Sequence, residues 1–362
     1  MPSANRIVLA SAGSGKTTSL VSEANAGHEL RTGLVTYTVN GKGELVDKSY
    51  ELDGLIAPHV AITTWYTFVL THFVRPFQNY LYVPRVKNIN FIDRIPTYPR
   101  IAKTNVAKYY FSSRGRIWKD RVTDFACRVI EVTNGLPIQR IEKIYRRIYI
   151  DEAQDLSGWD LELVEHLLRS TVEVCLMGDH RQATFSTNDN PKNKGFSGEN
   201  ILLKFEEWER AGLGQIEHQA HSYRCNQQIC DFADAIFPHC HKTESRNGEE
   251  RGHDGLFFVR QSFVQAYAAT FAPQPLRYNR TRKVNHGRPL NFGESKGLTF
   301  DRTLIYPHGP FEKYLATGKL KDAGKELAKI YVAITRARFS VGFVVPDKFA
   351  SKRLPYWAPD DN

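Results

Sequence analysis

IVLASAGSGKTTSLV, Ile7 to Val21, is the stretch on which the fold turns. Its apolar opening (Ile7, Val8, Leu9) reads as a buried parallel strand, small residues and glycines break it, and Lys16-Thr17-Thr18 opens a helix. A nucleotide phosphate can reach main-chain N–H groups only where side chains stand back, which is what Ala12, Gly13 and Gly15 provide. The helix N-terminus adds partial positive charge, Lys16 can reach the β and γ oxygens, and the Thr17 hydroxyl can ligate Mg²⁺. The segment from Ala12 through Ser14 to Thr18 is therefore the candidate phosphate cradle. Ala10 stands where the pattern GxxxxGK[ST] usually has its first glycine.

The chain has 362 residues, 41% hydrophobic and 24% charged, which suits a globular protein of two or three domains. It contains no apolar window of about 18 residues, and its N-terminus enters the first strand without a basic and apolar leader pattern. The expectation is an intracellular, cytoplasmic protein without a membrane partner. Five scattered cysteines make no disulfide framework. Cys225, Cys230 and the run His239-Cys240-His241 contain metal-ligand types, but no CxxC knuckle joins them.

Net charge is +10, unevenly spread. Between Pro84 and Arg121 stand ten Lys or Arg against two Asp, interleaved with Phe91, Tyr98, Tyr109, Tyr110, Phe111 and Trp118. Cations beside flat rings suit a single-stranded nucleic acid; a solvated basic face over core aromatics is the equal alternative.

Apolar runs bounded by turn signals predict strands at 6–10, 33–38, 60–63, 147–150, 172–177, 256–260 and 303–306, alternating with helical patterns such as 161–169 and 227–237. The fold class is α/β, with parallel sheets whose ligands sit at the strands' carboxyl ends. The segment 73–140 shows no clear parallel-strand run and reads as a helical or irregular insertion, and 185–198 reads as a long exposed loop.

Two further strand ends carry chemistry. In RRIYIDEAQDLS an apolar strand delivers Asp151 and Glu152 to a sheet edge, the first suited to Mg²⁺ and the second to polarising a water. In VCLMGDHRQATF, Gln182 follows the next strand end and can hydrogen-bond both that water and the γ-phosphate.

Taken together, AGSGKT, DEAQD, GDHRQ, SYRCNQQI (Ser222–Ile229), SKGLTFD (Ser295–Asp301) and YVAITRAR (Tyr331–Arg338) resemble, in order and wording, the superfamily 1 helicases of the UvrD/Rep/PcrA type. The resemblance spans Ile7 to Arg338. It implies two RecA-like domains with parallel sheets and a small, mainly helical 1B-like insertion: 1–72 and 141–212 for the first domain, 73–140 for the insertion, 213–362 for the second. It implies ATP and Mg²⁺ as cofactors, with Lys16, Glu152, Gln182, Arg224 and Arg336 catalytic, Thr17 and Asp151 on the metal, Tyr223 stacking on adenine, and Gly297 at the nucleotide. It places Thr36, Thr38, Thr64, Tyr66, Phe185, Ser295 and Lys296 along a nucleic acid. The implied function is a single-stranded DNA translocase or helicase moving 3′ to 5′, in DNA repair or phage defence. Beside it stand two other readings: a nucleotide-gated DNA-binding subunit governing a partner nuclease or effector without unwinding, and an RNA helicase. The chain departs from the family in having Thr299 where a Glu follows KGL, no Gln among Met1 to Ala10, and only 72 positions between Arg224 and Lys296. The short interval implies that the family's extra domain, 2B, is absent or vestigial.

Overall fold

A computed structural model describes residues 4–27, 31–91, 95, 101–184, 186–187, 190–284 and 286–359. The chain forms two compact units, Met1–Val8 with Lys16–His180 and Phe185–Glu217, and Leu9–Gly15 with Arg181–Thr184 and His218–Asn362. Two six-stranded sheets with helices packed along them give the mixed α/β architecture of two RecA-like domains.

In the first sheet the strand order is Val60–Thr64, Thr32–Thr36, Arg147–Ile150, Glu173–Gly178, Arg6–Ala10, Gln215–Gln219. Parallel pairing sets Thr36 beside Thr64, Val35 beside Ile150, and Ile150 beside Leu176. Strands covered on both faces read as unbroken apolar runs, and Ile7, Val8, Leu34, Val35, Ile148, Ile150, Leu176 and Met177 are all buried. The strand expected over 33–38 ends at Thr36, because Thr38 instead caps helix Val39–Asp53 by accepting the Gly41 N–H at 2.9 Å. The helix expected over 161–169 runs Trp159–Leu168 and buries Leu161, Val164, Leu167 and Leu168 on one stripe.

The second sheet has the order Leu290–Asn291, Gln274–Arg277, Phe300–Tyr306, Ala337–Val345, Gly255–Arg260, Tyr356–Trp357. Its longest strand, Ala337–Val345, lies inside the sheet and is paired in parallel on both sides. The core around it includes Phe258, Leu276, Ile305, Tyr331 and Phe343. The helix expected over 227–237 stops at Asp234.

Two expectations need correction. The insertion does contain parallel strands, the two-residue pair Ile89–Asn90 and Ile117–Trp118. Three of its rings, Tyr110, Phe111 and Trp118, are buried core groups, with Tyr110 and Phe111 edge-on to Phe125 at 5.1 and 5.7 Å; Phe91 is exposed, while Arg94, Tyr98 and Arg100 lie outside the described residues. The loop expected over 185–198 is exposed or half-exposed across residues 190–198, while Thr187 within it is fully buried. Among the described residues no helix is long and apolar enough to cross a membrane.

Helix Ile201–Arg210 is clamped to helix Trp159–Leu168 by one carboxylate. Glu165 accepts from Arg169 at 2.8 Å, the Trp208 indole N–H at 3.0 Å and the Lys204 ammonium at 3.1 Å. Burial pulls its pKa upward, but the three donors outweigh that and hold it near 2. A carboxylate lowered on folding stabilises fully above its unfolded value of about 4.5 and loses that contribution as pH falls toward 2. Glu165→Gln should cost about 1–2 kcal/mol at pH 7, after allowing for solvent screening. In urea unfolding at stepped pH, the gap between the two proteins should close as pH drops from about 4.5 to 2.

Candidate nucleotide and nucleic-acid sites

Strand Arg6–Ala10 runs into the loop Ser11–Gly15 and then helix Lys16–Ala26, whose first turn carries no acid to cancel the positive helix end. Gly13 and Gly15 take φ of +75° and +82°, a region that side chains disfavour. The room at Gly13 is taken from the other side as well: a Cβ there would lie 2.5 Å from the Arg224 Cβ and 2.8 Å from the Ser222 Oγ. Ser222 donates to the Ala12 carbonyl at 2.7 Å and the Tyr223 N–H donates to the Gly13 carbonyl at 2.8 Å. The half-exposed Tyr223 ring passes within about 3.7 Å of where a Gly15 Cβ would be, and Arg246 donates to its hydroxyl at 2.8 Å. The Ser14 hydroxyl is buried without a protein partner.

At the end of strand Arg147–Ile150, Asp151 donates its N–H to the Val35 carbonyl at 2.8 Å. Burial, reinforced by the Glu152 charge and opposed by Lys16, raises the Asp151 carboxyl to about 7. The buried Asp151 carboxylate, with the half-buried Glu152 beside it in sequence, is the kind of group that a divalent cation would satisfy. Among the described residues no three His, Cys, Asp or Glu gather into a metal cage.

Glu152 is held at φ +55°, a left-handed conformation uncommon for a residue with a side chain. Gln154, which sequence reading passed over, fixes it at both ends: its amide N–H donates to Glu152 Oε2, while its carbonyl oxygen accepts the Asp179 N–H at 3.0 Å. Gly178 makes that bridge possible, since a Cβ there would sit 2.2 Å from Gln154 Oε1. The only sequence signals were an amide two residues beyond the glutamate and a glycine before Asp179.

Gln182 and Arg336 are brought together. Arg336 is fully buried, and donates from Nη2 to Gln182 Oε1 at 2.9 Å, from Nε to the Val332 carbonyl at 2.9 Å and from Nη1 to the Leu298 carbonyl at 3.2 Å. Arg224 donates to the Thr335 carbonyl at 3.2 Å. Arg181 pairs with Asp234 at 3.0 Å, donates to the Ser11 hydroxyl at 2.8 Å and lies over the Tyr331 ring.

The residues expected along a nucleic acid are less uniform. Thr36 and Thr64 are cross-strand neighbours, and the Thr36 hydroxyl is buried without a partner, while Thr38 is spent on its helix cap. Thr64 donates to the Thr67 hydroxyl at 2.9 Å. Tyr66 is a packed ring whose hydroxyl donates to the Thr187 carbonyl at 3.0 Å; the exposed ring beside it is Phe91, edge-on at 5.5 Å. Ser295 is buried and turns its hydroxyl to the Phe292 carbonyl, Lys296 is half-buried, and Gly297 has φ +85°. Phe185 lies outside the described residues.

No curated protein matches the chain. Solved structures that match include a PRRSV helicase (16% identity, TM-score 0.45, 95% of this chain and 53% of that one) and an arterivirus nonstructural protein 10 helicase (14%, 0.48, 95% and 60%). A complex of the latter protein with DNA matches at 16% and 0.48, over 95% and 62%. The chain thus spans less than two thirds of the length of these structures. Residues 77–245 match the UvrD/REP helicase N-terminal domain. That segment carries DEAQD, GDHRQ and SYRCNQQI, and the motifs AGSGKT, SKGLTFD and YVAITRAR lie outside it on either side.

Proposed function

We propose that this protein is an ATP- and Mg²⁺-dependent motor on single-stranded DNA, a superfamily 1 translocase or helicase stepping 3′ to 5′ in the cytoplasm. The observation that carries the reading is the hydrogen bond from Arg336 to Gln182. It joins the glutamine after the GDHRQ strand end to the arginine of YVAITRAR, so a change at the γ-phosphate can be felt on both.

Main-chain N–H groups of Gly13 and Gly15 and the Lys16 ammonium bind the phosphates, Tyr223 meets the base, and Thr17 and Asp151 would hold Mg²⁺, which when bound supplies charge neutralisation at the phosphates. Glu152, aimed by Gln154, takes the proton of the attacking water, and Arg224 and Arg336 supply positive charge as negative charge develops. Thr36, Thr64 and Lys296 are the proposed strand contacts, while Ser295, buried on the Phe292 carbonyl, holds the chain before Lys296. Between Arg224 and Lys296 the strands Gly255–Arg260, Gln274–Arg277 and Leu290–Asn291 belong to the second sheet, alongside helices Gln227–Asp234 and Val264–Phe271, which favours a form without domain 2B.

ATP hydrolysis measured with and without single-stranded DNA, duplex DNA and RNA tests the reading. Single-stranded DNA should raise the rate about tenfold or more, and Lys16→Ala should lower the stimulated rate about 100-fold. A rate indifferent to every nucleic acid would sink the motor and leave a partner-gated switch; preferential stimulation by RNA would replace the substrate.

Glu152→Gln should lower turnover about 100-fold or more while nucleotide binding, followed with a fluorescent ATP analogue, is kept. Gly178→Ala, by pushing Gln154 off Glu152, should cost about tenfold in turnover at unchanged nucleotide affinity. Normal turnover in Gly178→Ala would remove Gln154 from the mechanism.

A further inference from the structure

Thr187 has no polar atom left over. Its N–H donates to the Asp155 carbonyl at 3.0 Å, its hydroxyl donates to Asp160 Oδ2 at 2.6 Å and lies 3.1 Å from the Ser157 hydroxyl, and its carbonyl lies 3.0 Å from the hydroxyls of both Tyr37 and Tyr66. Asp160 is equally committed: Oδ1 accepts from the Trp65 indole N–H at 2.9 Å and from the Thr123 hydroxyl. Both residues are fully buried. All the partners belong to the first unit.

The chain positions of these partners give the cluster its meaning. Tyr37 stands between Thr36 and Thr38, and Trp65 stands between Thr64 and Tyr66, so each tie holds one of the two segments proposed to face the strand. Thr123 lies in helix Val122–Val132 of the insertion. Thr187 follows Gln182 by five positions, on the chain that leaves the proposed γ-phosphate sensor.

We infer that Asp160 and Thr187 form a clasp that positions the strand-facing segments of the first unit relative to the chain leaving Gln182, so that strand affinity depends on this buried carboxylate. The inference rests on the proposed function and extends it to two positioning residues that touch neither nucleotide nor strand. A buried carboxylate keeps its geometry only while its donors are present, so losing one hydroxyl loosens everything tied to it.

Thr187→Val keeps the shape and removes the hydroxyl; Thr187→Ser keeps the hydroxyl. The full chain is titrated with a fluorescein-labelled oligo-dT, reading anisotropy and ATP turnover together. Thr187→Val should weaken oligo-dT binding, and raise the half-stimulating concentration, about tenfold, with unstimulated turnover within about twofold of wild type. Thr187→Ser should restore affinity to within about threefold. Should Thr187→Val fail to fold, Tyr37→Phe, which removes one hydroxyl from the Thr187 carbonyl, should still weaken binding at least about threefold. Unchanged affinity in the variants that fold, an equal fall in stimulated and unstimulated turnover, or no rescue by serine would overturn the clasp. Wild type that neither binds oligo-dT nor responds to it would instead overturn the strand-driven reading beneath, and would be seen before any variant is made.

Discussion

Parallel pairing is the constraint from which the site follows. Strands that all run one way bring their carboxyl ends to one edge, so Thr36, Thr64, Asp151 and Asp179 emerge together although they are scattered over more than 140 positions of the chain. At such an edge the last N–H groups and carboxylates have no further strand to satisfy them. They need side-chain partners or a ligand, and the chain supplies both.

Gln154 is the clearest of those partners. Its amide offers N–H donors at one end and a carbonyl oxygen at the other, and it finds an acceptor and a donor on successive strand ends, Glu152 and Asp179. The same economy governs Arg336, whose guanidinium spends two of its three nitrogens on main-chain carbonyls before offering the last to Gln182. A charged fork buried this completely cannot swing freely, so its aim is set by Val332 and Leu298.

Much of this was legible in the chain itself where short-range physics decides. An apolar run stopped by Asp151-Glu152, a glycine loop before Lys16 and the stripe Leu161, Val164, Leu167, Leu168 each declare their structure within a dozen residues. Strand Ala337–Val345 was not read, because YVAITRAR continues into it and only two residues separate it from helix Leu327–Ile334. The rings Tyr110, Phe111 and Trp118 could be core or platform with identical local sequence, and only tertiary packing on Phe125 decided. Hydrogen bonds such as Asp160 to Thr187, 27 positions apart, leave no periodic trace at all.

The Tyr223 ring beside Gly15 bears on fuel. An aromatic face meets a nucleobase by its flat surface and reads none of the donors and acceptors along the base's edge. The ring's hydroxyl accepts a hydrogen bond from Arg246 and keeps its own proton to donate. If Tyr223 meets the base as proposed, its flat face alone does not tell one purine from another, so the choice between adenine and guanine nucleotides falls to other groups.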